Sequence, residues 1–117
     1  MKITKVRVYG KLLPMASNYN MSSAAVGEPD TTIVELVTDT AYVGWGEICP
    51  RGPLPQPEHA GSIRADLVLL CPALIGLDPR QLGLVHDAMA STMDGGHGAK
   101  SAVDIACGDL MGKACLS

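Results

Sequence analysis

The 117 residues suffice for one domain of ordinary size, and 47% hydrophobic against 18% charged residues is a core-forming composition, not that of a disordered chain. A net charge of −3 without any basic run excludes the clustered Lys and Arg that a nucleic-acid surface needs. No stretch approaches the roughly 18 apolar residues of a membrane span. With no Phe, one Trp and three Tyr, the core has to be built from aliphatic residues, Met and Ala.

Met1 to Arg7 interleaves charged and apolar residues and no long apolar run follows. No signal peptide is therefore expected, and the chain reads as cytoplasmic. Cys49, Cys71, Cys107 and Cys115 form no CxxC pair and match no zinc spacing. They are expected to be reduced, mostly buried thiols.

The first half has the pattern of strands. Val6, Val8 and Leu12 alternate with Lys5, Arg7 and Lys11, which predicts a half-buried strand over 2–13 that Pro14 ends. Ile3 is out of phase, the mark of a bulge or a frayed start. Residues 15–30 lack periodicity and are long for a connection in a small domain, so they read either as a binding segment or as a plain connector. Two β-branched, apolar runs follow at 31–38 and 42–49, separated by a short turn, and predict a hairpin. Ala41 falls where such a turn favours a glycine with positive φ, so Ala41→Gly is expected to stabilise the domain. Gly44 and Gly46 flank Trp45 and mark a bulge or a close backbone approach.

The second half has the pattern of helices. Ala60, Ile63, Leu67 and Leu70 recur at helical spacing, which predicts a helix over 57–71 with Pro57 in its first turn and Cys71-Pro72 as its stop. Asp78-Pro79-Arg80-Gln81 reads as a capping box opening a helix over 79–93. After Asp94-Gly95-Gly96-His97-Gly98, a third helix over 99–115 carries Ala99, Ala102, Val103, Ala106, Leu110 and Ala114 on one stripe. Asp109 and Lys113 make an i,i+4 pair on its polar side. Residues 1–117 thus predict one α+β domain, a three-stranded antiparallel meander followed by a three-helix layer.

Chemistry is hard to find. Gly95 to Ser101 lacks the glycine that a phosphate loop needs at Ala99, and it follows a helix where such a loop follows a strand. His59, His86 and His97 share no metal-site spacing. Glu47 ends a strand and is more readily a structural hydrogen-bond partner than an acid or base. Asp104 and Asp109, five residues apart on a helix, point about 140° away from each other. No catalytic and no metal-ligating constellation is read from these residues.

Three stretches together carry a resemblance. Thr38-Asp39-Thr40-Ala41-Tyr42-Val43-Gly44-Trp45-Gly46-Glu47 resembles the pattern T-D-x-G-x-x-G-x-G-E. Leu74 to Pro79 resembles L-x-G-x-D-P, and Ala99 to Lys113 resembles A-K-x-A-I-D-x-A-x-W-D-x-x-G-K. These are motifs of the mandelate racemase/muconate lactonizing subgroup of the enolase superfamily. More narrowly, Cys49 to Pro53 with Pro57 to Ala60 resembles members acting on proline-derived acids and betaines, the hydroxyproline-betaine epimerase branch.

The resemblance implies an enolase-like N-terminal domain that caps a modified TIM barrel absent from these residues. It implies a Mg²⁺-dependent racemase, epimerase, dehydratase or cycloisomerase that removes a proton α to the carboxylate of a small acid. The metal ligands and catalytic residues would then lie in the missing C-terminal barrel domain, the main partner. A homo-oligomer is expected. Two capping segments would contact substrate, placing Tyr19, Met21 and Val26 in one and Arg51, Pro55 and His59 in or beside the other. The sequence departs from the family's pattern at Ala41, at Gly108 in place of a helix tryptophan, and at Pro55, where betaine-type members carry an aromatic. The alternative is a free-standing, non-catalytic module, or a truncated gene product. Such a module would bind a partner through the third-helix stripe, where Ala102, Val103, Ala106 and Leu110 would lack part of their cover.

Overall fold

The computed structural model describes residues 1–10, 31–49 and 60–116. Strands β1 (Ile3–Tyr9), β2 (Thr32–Thr38) and β3 (Val43–Ile48) form an antiparallel sheet in the order β1-β2-β3. Helices α1 (Ala60–Leu74) and α3 (His97–Leu116) pack on one face of it, and α2 (Leu82–Thr92) packs on them. The architecture is α+β. Tyr9 and residues up to Gly10 are described, so the expected reach of β1 towards residue 13 lies outside the described residues.

The central strand takes the most apolar run. Val34 and Leu36 are fully buried against Ile63, Leu67, Leu70 and Leu74 of α1, Val85 and Met89 of α2, and the inner face of α3. Ile3 enters the same core because a register shift between Ile3 and Lys5 turns its side chain inward. Of the bulge and the frayed start that its broken phase allows, the strand takes the bulge.

Helix α3 lies on β3 closely enough that Gly44 and Gly46 have no room for side chains of their own. A β-carbon on Gly44 would come within 2.5 Å of the Ala106 carbonyl oxygen and of Leu110 Cγ. On Gly46 it would overlap the Ala102 carbonyl oxygen. At Gly46 the atoms in the way are all backbone and cannot swing aside, whereas at Gly44 the Leu110 side chain shares the contact with the Ala106 carbonyl. Ala102, Val103, Ala106 and Leu110 are consequently fully buried. The stripe that seemed short of cover is the inner face of the core, and it offers nothing to a partner.

Four local expectations change. No non-glycine residue among those described has positive φ, so Ala41 is not strained. The turn is closed by hydroxyls instead. Thr38 Oγ1 donates to the Tyr42 carbonyl at 2.8 Å and accepts from the Thr40 amide at 3.1 Å, and Thr40 Oγ1 accepts from the Tyr42 amide at 3.1 Å. Asp39 adds a reciprocal pair with Lys2, at 2.9 and 3.0 Å. Side chains of this kind mimic a backbone turn without a left-handed residue.

Helix α1 continues through Pro72 to Leu74. The hydrogen bond that proline forfeits would have gone to the carbonyl of Val68, on the exposed side of the helix, where water can serve it. Complete burial of Leu74 favours the extra turn, and Gly76 at φ 90° then ends it. There the Gly76 amide donates to the Ile3 carbonyl and the Ile3 amide to the Leu77 carbonyl, both at 2.8 Å.

Helix α2 begins at Leu82, with Gln81 as a cap that makes no side-chain hydrogen bond. Asp78 is already committed to the preceding turn. It accepts from the Arg80 amide at 2.9 Å and from the Arg80 guanidinium at 3.0 and 2.8 Å. That guanidinium holds its carboxyl down to about 2. Finally, only Cys107 is fully buried, its thiol pushed up by burial to about 12, while Cys49 and Cys115 are exposed. None of the four is in a disulfide.

Two substitutions test the packing and the turn. Gly46→Ala should destabilise the domain by about 3 kcal/mol, the upper part of the range for overpacking, because the atoms in the way are backbone. Thermal melts check it, and a loss of under about 1 kcal/mol would mean that α3 moves off the strand at little cost. Ala41→Gly should lower stability by about 0.4–1 kcal/mol through the unfolded chain's added freedom. A raised melting midpoint would show strain at Ala41 after all.

Candidate functional site

Antiparallel order brings the end of β1, the start of β2 and the end of β3 to one end of the sheet. Tyr9 pairs with Ile33, and Thr32 pairs with Ile48. The chain leaves this end after Gly10, returns at Thr31, leaves again after Cys49 and returns at Ala60, where α1 starts. Tyr19, Met21 and Val26 belong to the first departure, and Arg51, Pro55 and His59 to the second. All six lie outside the described residues. The opposite end of the sheet carries the compact turn at Thr38–Tyr42.

One side chain ties the first end together. Arg64, one turn into α1, donates from Nη1 to Thr32 Oγ1 at 3.1 Å. Its Cδ, Nε and Cζ lie 3.8 Å from where a β-carbon on Gly10 would stand, so its stem lies against the chain just past β1. Thr32 is fully buried. Sequence inspection missed Arg64, although a signal was available: Arg64 and Asp66 are the only charged residues in α1.

The free edge of β3 is also occupied. Asp109 Oδ2 accepts the Trp45 amide at 3.0 Å, and Lys113 Nζ donates to the Val43 carbonyl at 2.6 Å while contacting Asp109 Oδ2 at 2.9 Å. What reads in the sequence as an i,i+4 pair is a clamp that supplies strand-like partners to an edge strand. Burial opposes the charge on Asp109, but Lys113 and the Trp45 amide outweigh it and hold the carboxyl below its usual range.

On the helix-free face, Arg7, Glu35 and Trp45 stand directly opposite one another across the three strands. Glu35 Oε1 accepts from Tyr9 Oη at 2.7 Å and from Arg7 Nη1 at 3.2 Å. The Tyr9 and Trp45 rings stack with centroids 6.2 Å apart, and Glu35 beneath them is only 7% exposed. The other candidates scatter. His86 Nε2 meets Asp104 Oδ1 at 2.7 Å across the outer surfaces of α2 and α3, His97 is exposed at the start of α3, and Glu47 is exposed on the helix-free face. Among the described residues no three His, Cys, Asp or Glu side chains gather to hold a metal ion, and no helix is long and apolar enough to cross a membrane.

A three-stranded meander backed by three helices, with both long connections leaving from one sheet end, is the form of an enolase-type N-terminal domain. The family described as mandelate racemase / muconate lactonizing enzyme, N-terminal domain, matches residues 3–116, and the chain belongs to it. It is similar to cis-3-hydroxy-L-proline dehydratase from Roseibium aggregatum, with 40% identity over 116 residues covering 97% of this chain and 32% of the relative. It is also similar to N-succinyl-L-Arg/Lys racemase from Bacillus cereus, with 34% identity over 113 residues covering 97% of this chain and 31% of that one. Among solved structures, an enolase-superfamily member from Roseovarius nubinhibens complexed with magnesium superposes with a TM-score of 0.81 at 36% identity, over 97% of this chain and 31% of that one. The chain thus spans about a third of the length of the relatives it matches.

The edge clamp yields a test. Removing the Asp109 carboxylate with Asp109→Ala should speed amide exchange at Trp45 at least tenfold and cost about 1.5–3 kcal/mol, the usual worth of a hydrogen bond to a charged group. Because the folded-state carboxyl titrates below its unfolded value, its stabilisation is present above the ordinary carboxylate range and lost as pH falls through the folded value. The stability gap between the native chain and Asp109→Asn should therefore be full at pH 7 and close only in strong acid. A gap independent of pH would show that the charge on Asp109 does not contribute.

Proposed function

We propose that this domain is the substrate-facing cap of a Mg²⁺-dependent enzyme that removes a proton α to the carboxylate of a small organic acid. The observation that carries this is the shared sheet end: both segments named for substrate contact are anchored there, side by side, by β1, β2, β3 and α1. A domain built this way anchors the ends of two segments at one place on a rigid scaffold. The relatives, a dehydratase of a hydroxyproline and a racemase of N-succinylated amino acids, support a carboxylate substrate with a proton beside it. The magnesium complex of the Roseovarius nubinhibens protein supports the metal.

The described residues do not fit a Mg²⁺ site, since no three ligating side chains come together. What these residues do chemically is position: they hold the two segments and keep water from the sheet's inner face. The reacting groups and the ion belong to the C-terminal domain that the relatives' additional length accommodates.

Two measurements test the proposal. The 117 residues alone should exchange no α-hydrogen of cis-3-hydroxy-L-proline with deuterated water in the presence of Mg²⁺, beyond a metal-only control. In a polypeptide carrying the C-terminal domain, Tyr19→Ala with Met21→Ala should change kcat/KM unequally across cis-3-hydroxy-L-proline, N-succinyl-L-arginine and N-succinyl-L-lysine. Mg²⁺ affinity should stay within about threefold, because its ligands lie elsewhere. An equal loss for every substrate together with weakened metal binding would mean that the segment supports the fold and selects nothing.

A further inference from the structure

We infer that Arg64 is a positioning residue for substrate choice, acting by fixing the ends of β1, β2 and α1 relative to one another; this rests on the capping role proposed above. The basis is where its atoms lie. The guanidinium binds Thr32, the first residue of β2, and the stem lies against Gly10, the residue after β1. Thr32 in turn pairs with Ile48, at the end of β3, and Arg64 itself sits one turn from the start of α1 at Ala60. One side chain thus lies beside, or is linked through one paired residue to, every point at which the chain departs from or returns to this end of the sheet.

The chemistry suits that task. A planar guanidinium offers donors in a fixed fork, so its position constrains its partners more tightly than a flexible ammonium would. Thr32 has no exposed surface, so its hydroxyl depends on a protein partner. Moving the ends of β1 and β2 by a fraction of an ångström changes the direction in which the chain leaves the sheet, and small displacements at a binding surface alter discrimination between similar substrates. Asp66, the other charge in α1, has no such place: it lies near Gly96.

The test uses the polypeptide that includes the C-terminal domain, with the three acids named above as substrates. Arg64→Met keeps the stem and removes the fork. It should change the ratios of kcat/KM among the three acids by fivefold or more, mainly through KM, with Mg²⁺ affinity within threefold. Arg64→Lys should restore part of the native ratios. Thr32→Val, which deletes only the acceptor, should shift the ratios in the same direction and keeps the question decidable if Arg64→Met does not fold. Equal changes for all three acids, or unchanged ratios in both Arg64→Met and Thr32→Val, overturn the inference. If the Tyr19 and Met21 variants shift the ratios while these do not, the capping role stands and the role of Arg64 fails; if neither set shifts them, the capping role itself fails.

Discussion

At Gly44 and Gly46 the backbone of α3 rests directly on the backbone of β3, and the rest of the domain is arranged around that contact. A helix and a strand separated by side chains would sit several ångströms further apart. Here Ala102 and Ala106 meet bare glycine, and the apolar stripe of α3 disappears into the core. With so few aromatic residues, the core has little bulk to spread its layers, and close approach compensates by raising the number of atoms in van der Waals contact. The contact also brings Asp109 and Lys113 within reach of the edge of β3, so the same helix that fills the core finishes the sheet. On the far side, Arg7, Tyr9 and Trp45 fold over Glu35 and give the helix-free face its own small cover.

Much of this was legible in the residues. Alternation and helical spacing placed three strands before three helices, and of the bulge and the close approach that the glycines around Trp45 allowed, the close approach is what they serve. The out-of-phase Ile3 pointed to a bulge or a frayed start, and the register shift makes it a bulge. What failed were rules of local punctuation. Ala41 looked strained because a short hairpin usually wants positive φ, yet the hydroxyls of Thr38 and Thr40 do that work and the need never arises. Pro72 looked like a stop, but the bond it forfeits falls on the wet side of α1 while Leu74 pulls the helix onward. Asp78 looked like a cap, but its carboxylate is held by Arg80. In each case a tertiary or side-chain interaction outweighed a local preference.

The candidate site was legible in direction and not in detail. In a three-stranded meander the β1–β2 connection and the exit from β3 fall at the same end, so the strand ends from which the segments holding Tyr19 and Arg51 depart follow from chain order alone. Arg64 could not be found that way. Its importance depends on which residue of α1 comes to lie beside Gly10 and Thr32, and that is decided by how the helix rotates to bury Ile63 and Leu67.

The role proposed for this domain is to choose the substrate, with the metal and the proton transfer left to a C-terminal domain of the kind the relatives' length accommodates. An exchange of domains tests it most directly: residues 3–116 placed on the C-terminal part of the Roseibium aggregatum dehydratase, with kcat/KM measured for cis-3-hydroxy-L-proline and the N-succinyl amino acids alongside Mg²⁺ affinity. The account predicts that the order of substrate preference changes when the domain is exchanged, while Mg²⁺ affinity stays that of the dehydratase. A chimera that folds, binds Mg²⁺ and keeps the dehydratase's full order of preference would contradict it.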